Sequence, residues 1–434
     1  MVEKVDTALI NMWGRLVGAV AWNDSRQLAT FEFDPDFLDE GLDLAPLKMP
    51  WAQARRSRAR FNFPGLPFET FKGLPGLLAD ALPDNFGNSI IDAWLARQGR
   101  TAESFSPVER LCYTGRRAMG ALEFEPAVTG PLNESVKVEV GELVVLARTM
   151  LANRASLQVN FDKDASDALL DIIRVGTSAG GGRPKAVIAV NDATKEVRSG
   201  QVEAPEGFDQ WILKFDGVRD SQLGEPAGYG RIEFAYSKMA TACGIEMMPC
   251  RLLEENDRAH FMTRRFDRLS NNRKLHLQSL CAVGHFDFNS PGTCSYEQAF
   301  QVMRELRLPY RAAEQQFRRT VFNIVARNQD DHTKNIAFLM NPDGQWSLSP
   351  AFDVTYAYNP DGDWTNRHQM TLNGKREGFT REDLLTVADE MSIKKARDII
   401  GEVEEAVARW PEFASAAGVP EERAAAIGKT HRVF

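Results

Sequence analysis

The stretch that most constrains this chain runs from Asn328 to Asp353: Asn-Gln-Asp-Asp-His-Thr-Lys-Asn, then Ile-Ala-Phe-Leu-Met, Asn-Pro-Asp-Gly-Gln and Trp-Ser-Leu-Ser-Pro-Ala-Phe-Asp. An apolar run at helical spacing (Phe317, Val321, Phe322, Ile324, Val325) leads into it, so the polar octad begins where a helix stops. Asn341-Pro342-Asp343-Gly344 is strong turn chemistry between two short strand-like runs. A hairpin there folds Asp353 back towards Asp330, and Asn335 follows Asp330 by five residues.

That set suits phosphoryl transfer. One carboxylate accepts a hydroxyl proton while a second carboxylate and an amide oxygen hold Mg²⁺ against phosphates. Read alone, the octad is equally a helix-capping loop with His332 and Lys334 solvated, since short Asp/Asn loops are common turns. The segments before it bear on the choice. Residues 8–35 read as strands and turns, and residues 74–95 as helical. Arg55, Arg56, Arg58 and Arg60 form a basic cluster, either a solvated face or a docking patch. Residues 126–140 are polar and carry Pro and Gly, which suits a domain boundary, and residues 141–173 have helical spacing.

Next comes Gly176-Thr-Ser-Ala-Gly-Gly-Gly-Arg-Pro-Lys185, leading into the β-branched run Ala186–Val190. Glycines let backbone N–H groups approach phosphate oxygens, and Arg183 and Lys185 add charge. It is not a Walker A loop, because no Gly-Lys-[Ser/Thr] opens a helix. In Trp211-Ile-Leu-Lys-Phe215, alternation puts Trp211, Leu213 and Phe215 on one face and Ile212 and Lys214 on the other. The following helix has an apolar stripe (Ile232, Ala235, Met239, Cys243) bordered by Glu233. A strand lysine paired with a helix glutamate orients phosphates in protein kinases, whereas an ordinary salt bridge is the structural alternative. Residues 259–268 read as a strand leaving into a linker, where a hinge offering backbone groups to adenine belongs. Residues 381–409 read as helical.

Several classes are excluded. A net charge of −8 does not suit a chain that grips nucleic acid through its overall field. The five cysteines contain no Cys-x-x-Cys pair, which suits a reducing cytosol and not a zinc site. The acidic N-terminus is unlike a signal peptide and no apolar run reaches membrane-spanning length, so a soluble cytoplasmic protein is expected.

Glycine loop, strand lysine, helix glutamate, hinge, Asp-x-x-x-x-Asn and a later Asp stand in kinase order. The chain closely resembles the HipA family of bacterial serine/threonine kinases, toxin components of HipBA-type toxin–antitoxin systems. The likeness covers nearly the full chain. Gly-Arg-Leu-Val-Gly-Ala-Val, Phe-Glu-Phe-Asp-Pro-Asp-Phe-Leu and Leu-Leu-Ala-Asp-Ala-Leu-Pro-Asp-Asn-Phe-Gly look like the family's N-terminal subdomain. Thr-Ser-Ala-Gly-Gly-Gly-Arg-Pro-Lys-Ala, Arg-Arg-Phe-Asp-Arg, Asn-Gln-Asp-Asp-His-Thr-Lys-Asn and Ser-Pro-Ala-Phe-Asp-Val match its kinase core, and residues 368–375 are similar to a further segment.

The resemblance implies an α+β fold: an N-terminal β-rich subdomain (1–130), then a two-lobed kinase-like core. Its N-lobe spans 131–267 and its mainly helical C-lobe 268–434. It implies ATP and Mg²⁺ as cofactors, Asp330 as catalytic base, and Asn335 and Asp353 as metal ligands. Gly180, Gly181, Gly182, Arg183, Pro184, Lys185, Lys214, His332, Lys334 and Asn335 would contact ATP, with Arg264, Arg265 and Phe266 as the adenine hinge and Glu233 orienting Lys214. Ser178 corresponds to the family's autophosphorylated serine. Asp331 is a second carboxylate beside the base, but only Asp330 keeps the spacing to Asn335. The implied substrate is an aminoacyl-tRNA synthetase, glutamyl-tRNA synthetase being the best known. The implied partner is a HipB-like helix-turn-helix antitoxin, through which the kinase meets DNA. A non-toxin kinase with another substrate, or an antitoxin-binding scaffold, are the alternatives; the intact Lys214, Asp330, Asn335 and Asp353 set argues against the scaffold.

Overall fold

The computed structural model describes residues 4–97, 99–127, 134–152, 176, 184–217, 228–255 and 258–434. The chain divides into two compact units. One comprises Met1–Ala45, Met49–Ala227 and Leu253–Leu277; the other comprises Pro46–Lys48, Gly228–Leu252 and Gln278–Phe434.

The first unit opens with β1 (Thr7–Met12), β2 (Arg15–Asn23) and β3 (Leu28–Phe33). Trp13 and Gly14 both have positive φ (53° and 75°), the backbone that a tight hairpin twisting with its strands requires. Ala8, Ile10 and Met12 point inward from β1, opposite the more exposed Thr7 and Leu9. Gly18 is obligatory in β2, because a Cβ there would lie 2.2 Å from the Glu32 carbonyl oxygen. With β4 (Arg60–Phe61) and β5 (Leu122–Glu125) these strands form a sheet of order β4-β3-β2-β1-β5. The basic cluster is partly neutralised: Arg55 pairs with Asp39 at 3.3 Å and Arg60 with Glu32 at 2.8 Å. The helical reading of 74–95 resolves into two short helices, Gly76–Ala79 and Asn85–Arg97, with Pro83 between them.

A second sheet has the order β7-β6-β8-β10-β9. Its strands are β6 (Lys185–Val190), β7 (Val197–Ser199), β8 (Asp209–Lys214), β9 (Cys250–Glu255) and β10 (Arg258–Arg264). Ala186, Ile188, Val190, Trp211, Leu213 and Met262 join one core with the helix Val140–Ala152, so the predicted face of Trp211 and Leu213 is the buried one. After β10 the chain enters a charged hub. Asp267, fully buried, accepts from Arg265 (2.7 Å), Arg268 (2.7 Å) and the Gly120 N–H (2.7 Å). Arg268 also donates to the carbonyls of Gly120 (2.8 Å) and Ala118 (3.0 Å). Burial by itself would raise the Asp267 pKa, but the two guanidiniums override it and hold the carboxyl well below the usual carboxylate range.

The second unit is mainly helical. Tyr229–Ala242, Tyr296–Glu305, Tyr310–Val325, Arg381–Met391, Ala396–Ala408 and Trp410–Ala416 surround one apolar core. The predicted stripe of Ile232, Ala235, Met239 and Cys243 is buried there. Ser295–Gln298 and Thr380–Asp383 capping boxes start two of these helices. β11 (His276–Ser279) leads the chain in and joins a small sheet of order β11-β12-β13 with β12 (Ala337–Met340) and β13 (Trp346–Leu348). The hairpin expected at 341–344 is present: Phe338 faces Leu348, Met340 faces Trp346, and the Asn341 side chain accepts from the Asp343 and Gln345 amides. None of the helices among the described residues is long and apolar enough to cross a membrane.

Candidate active site

Phe317, Val321, Phe322, Ile324 and Val325 are all at most 1% exposed, so the helix Tyr310–Val325 is anchored to its last turn. Arg327, with φ of 59°, ends it. Two backbone bonds then pin the loop: Gln329 donates to Ala357 (3.1 Å), and Ala357 to Arg327 (3.1 Å). Residues Thr333–Asn335 make one tight 3₁₀ turn, and the Asn335 side-chain nitrogen donates to the Asp330 carbonyl at 2.7 Å. With that nitrogen committed, the Asn335 Oδ1 is left to meet a cation.

The two adjacent carboxylates have opposite surroundings. Asp331 is buried and accepts from the Tyr296 hydroxyl (2.6 Å), His368 Nδ1 (2.7 Å) and the Gln369 N–H (2.7 Å). Burial would raise its pKa, but His368 and these donors outweigh that and lower it. Burial also drives the Tyr296 phenol well above its usual value, which keeps it a donor. The Asp330 side chain is 42% exposed. Its Oδ1 accepts from the Trp364 indole at 2.7 Å and stands 3.8 Å from His332 Nε2. His332 packs between Phe288 and Trp364 (ring centroids 5.5 and 6.5 Å), and its buried Nδ1 has no partner among the described residues. Lys334 lies over the Phe288 ring at 4.6 Å.

Beyond β13 the chain stays close to the loop's exit, since Ser349 N–H donates to the Ala337 carbonyl at 2.9 Å. Arg319 holds the Ser349 carbonyl (2.7 Å), and Ala351 N–H donates to Glu246 (2.8 Å). Asp353 follows with φ of 52°, a left-handed backbone that costs a non-glycine residue on the order of 1 kcal/mol. Such strain collects where a side chain must be aimed. Among the described residues no three His, Cys, Asp or Glu side chains group as a metal site. Mg²⁺ does not need such a cage: it takes one or two protein oxygens and keeps water and phosphate oxygens, a demand that the Asn335 amide and Asp353 carboxylate fit.

In the first unit, Lys214 of β8 faces Lys185 of β6 on one side and Phe261 of β10 on the other. Pro184 precedes them, its carbonyl accepting from the Phe215 N–H at 3.2 Å. Two side chains and one backbone N–H of the segment 264–266 are engaged within the first unit. Arg264 pairs with Asp209 at 2.5 Å, the Arg265 side chain is buried on Asp267, and the Arg265 N–H donates to Gln210 at 2.9 Å. Glu233 is 3% exposed on the helix Tyr229–Ala242 of the second unit. Thr177, Ser178, Gly180, Gly181, Gly182 and Arg183 lie outside the described residues. Tyr296, Trp364 and Arg432 carried no local signal for a role at this loop. His368 and Gln369 carried only their place in the segment 368–375.

The comparisons bear on this geometry. Residues 177–410 match the model of the HipA-like C-terminal domain, and residues 8–125 that of the HipA N-terminal domain. Among solved structures the chain is similar to one from Shewanella oneidensis MR-1, the toxin–antitoxin system HipA, HipB and its operator DNA complex. The TM-score is 0.65 at 16% identity, covering 97% of this chain and 94% of that one. A Helicobacter pylori proinflammatory kinase, CtkA, is matched at a TM-score of 0.36 and 11% identity, over 58% of this chain and 90% of that one. No curated protein matches by sequence.

Proposed function

The chain belongs to the HipA family, as a HipA-type kinase-like protein, and from that premise we propose that it phosphorylates protein serine or threonine with ATP and Mg²⁺. The observation that carries the reading is the contrast at the loop: Asp331 is consumed by buried donors, while Asp330 stays accessible with its Oδ1 held by Trp364. Asp330 then takes the proton of the acceptor hydroxyl through Oδ2. Asn335 and Asp353 would hold the metal, which would neutralise phosphate charge when bound. Lys214 and Lys185 are assigned to the phosphates, and His332 and Lys334 to further contacts with ATP. The backbone of 264–266 is assigned to adenine and Glu233 to turnover.

The proposed substrate class is an aminoacyl-tRNA synthetase, and the proposed partner a HipB-like antitoxin through which DNA is met. The similar Shewanella complex supports the partner. Transfer from radiolabelled ATP by wild type, lost in Asp330→Asn and Asp353→Asn with unchanged melting, is the expected result. Near-wild-type transfer by either variant removes the assignment. Phosphoproteomics after brief induction of wild type against Asp330→Asn identifies the substrate, and co-purification with a short helix-turn-helix protein tests the partner.

A further inference from the structure

Behind the loop lies a chain of contacts that neither acid–base chemistry nor metal binding requires. Asp331 Oδ2 meets His368 Nδ1 at 2.7 Å, and His368 Nε2 meets Arg432 Nη1 at 3.0 Å. A guanidinium only donates, so His368 Nε2 accepts and its single proton sits on Nδ1, donated to Asp331. The tautomer is therefore set by Arg432. His368 is fully buried, and its ring packs edge-on against Phe379 at 5.2 Å, which fixes the ring plane.

Arg432 is itself fastened to the helix that carries the loop. Its N–H donates to the Val325 carbonyl (2.9 Å) and its Nη1 to the Ile324 carbonyl (2.7 Å), and its Nη2 reaches Gln329 Oε1 at 3.4 Å. Two residues earlier the Thr430 carbonyl accepts from Arg327 Nε at 2.7 Å. The neighbouring His431 ring nitrogen meets the Tyr236 hydroxyl at 3.0 Å. Residues 430–432 thus touch the loop at Arg327 and Gln329 and, through His368, at Asp331.

We propose that residues 430–432 form a strap which positions the catalytic loop through the relay Arg432–His368–Asp331, with His368 and Arg432 as positioning residues for the phosphoryl transfer assigned above. The inference rests on that functional reading for its kinetic consequence, but the strap itself does not. Asp331 and Asp330 are adjacent on one backbone, so fixing the Asp331 carboxylate fixes the peptide that carries Asp330 and its bond to Asn335. Displacements of about 1 Å at reacting groups cost on the order of 10²-fold in rate.

The test separates the two readings. His368→Phe keeps ring packing and removes both relay contacts, whereas His368→Asn retains a donor at the position of Nδ1. Arg432→Met removes the guanidinium and keeps the stem. Amide hydrogen exchange, which needs no activity, is followed at residues 329–335 and, as an internal reference, in the helix Arg381–Met391. The expected result is about tenfold faster exchange confined to the loop in His368→Phe and Arg432→Met, largely restored in His368→Asn. Where transfer is measurable, kcat should fall about 10²-fold in the first two variants with KM for ATP within about twofold. Unchanged loop exchange, equal behaviour of His368→Asn and His368→Phe, or acceleration spread equally over the reference helix overturns the strap. Absence of transfer in the wild-type protein removes the functional reading instead, and the exchange comparison still decides the strap.

Discussion

Two buried aspartates, one in each unit, show how similar chemistry serves different ends. Asp267 is enclosed by two guanidiniums and a backbone N–H, so its charge is matched by cations, one of which, Arg268, also grips the Ala118 and Gly120 carbonyls. Asp331 is held by a phenol, an imidazole and a backbone N–H, which are directional donors. The first arrangement ties together segments distant in sequence, and its loss leaves unmatched charge in the interior. The second orients a loop whose next-door carboxylate stays open to solvent. A cluster rich in net charge compensation is a fastener; a cluster of neutral donors around one anion is an aiming device.

The sharpest way to break that comparison is through activity. Asp330→Asn and Asp353→Asn should each lower phosphoryl transfer on the order of 10³-fold or more. Melting should change little, because Asp330 is 42% exposed. ATP binding should survive better in Asp330→Asn, which leaves the metal ligands intact. Retained transfer in a radiolabelled assay would show the open carboxylate to be ordinary surface.

Next in size is stability. Asp267→Ala should destabilise the first unit by about 3–5 kcal/mol, the cost of leaving buried guanidiniums uncompensated. Urea unfolding followed by a first-unit probe measures it, and a loss near zero would mean that the hub is not a fastener. Lys214→Ala and Glu233→Ala sharpen the same distinction. If Lys214 serves phosphates, isothermal titration should show weakened ATP binding and Glu233→Ala should lower turnover, with melting changed little. A common fall in melting temperature at normal activity per folded molecule would make them structural.

Regulation comes next. Ser178 stands two residues before three consecutive glycines, with Arg183 and Lys185 close in sequence. Phosphorylation there adds about −1.5 to −2 charges that compete with ATP for the same donors. Mass spectrometry after incubation with ATP should place phosphate on Ser178 in wild type and not in Asp330→Asn, and Ser178→Asp should bind ATP poorly. Phosphate found only at other positions removes the switch.

The smallest effect is the pH dependence. Burial depresses His276 to about 3 and His285 and His431 to about 4. These groups are neutral when folded and protonate more readily when unfolded, so their stability contribution is full above about pH 6.5 and declines as pH falls from there to about 4 for His285 and His431 and to about 3 for His276. His276→Leu should flatten that slope for the first unit while leaving the second unit's slope in place, and equal slopes in both proteins would show that His276 does not titrate on unfolding.

Local signals were strong wherever one short segment decides its own structure. Alternation placed Trp211 and Leu213 on the buried face, helical spacing placed Phe317 through Val325, and Asn341-Pro342-Asp343-Gly344 made its hairpin. Arg265 shows the limit: no pattern around it points to the commitment of its guanidinium to Asp267, or of Asp267 to Gly120, a residue 147 positions away.

Local reading of the chain was enough for the HipA resemblance, the α+β order of strands before helices, and the spacing that singles out Asp330 over Asp331. Periodicity, turn chemistry and motif order are properties of neighbouring residues, and neighbours are what a sequence displays. Why Asp331 is unavailable is visible only in the folded molecule. Tyr296, the neighbours His368 and Gln369, and Arg432 reach that loop from three separate places in the chain. Burial and directional hydrogen bonds depend on what folding brings within 3 Å, and no local pattern encodes that meeting.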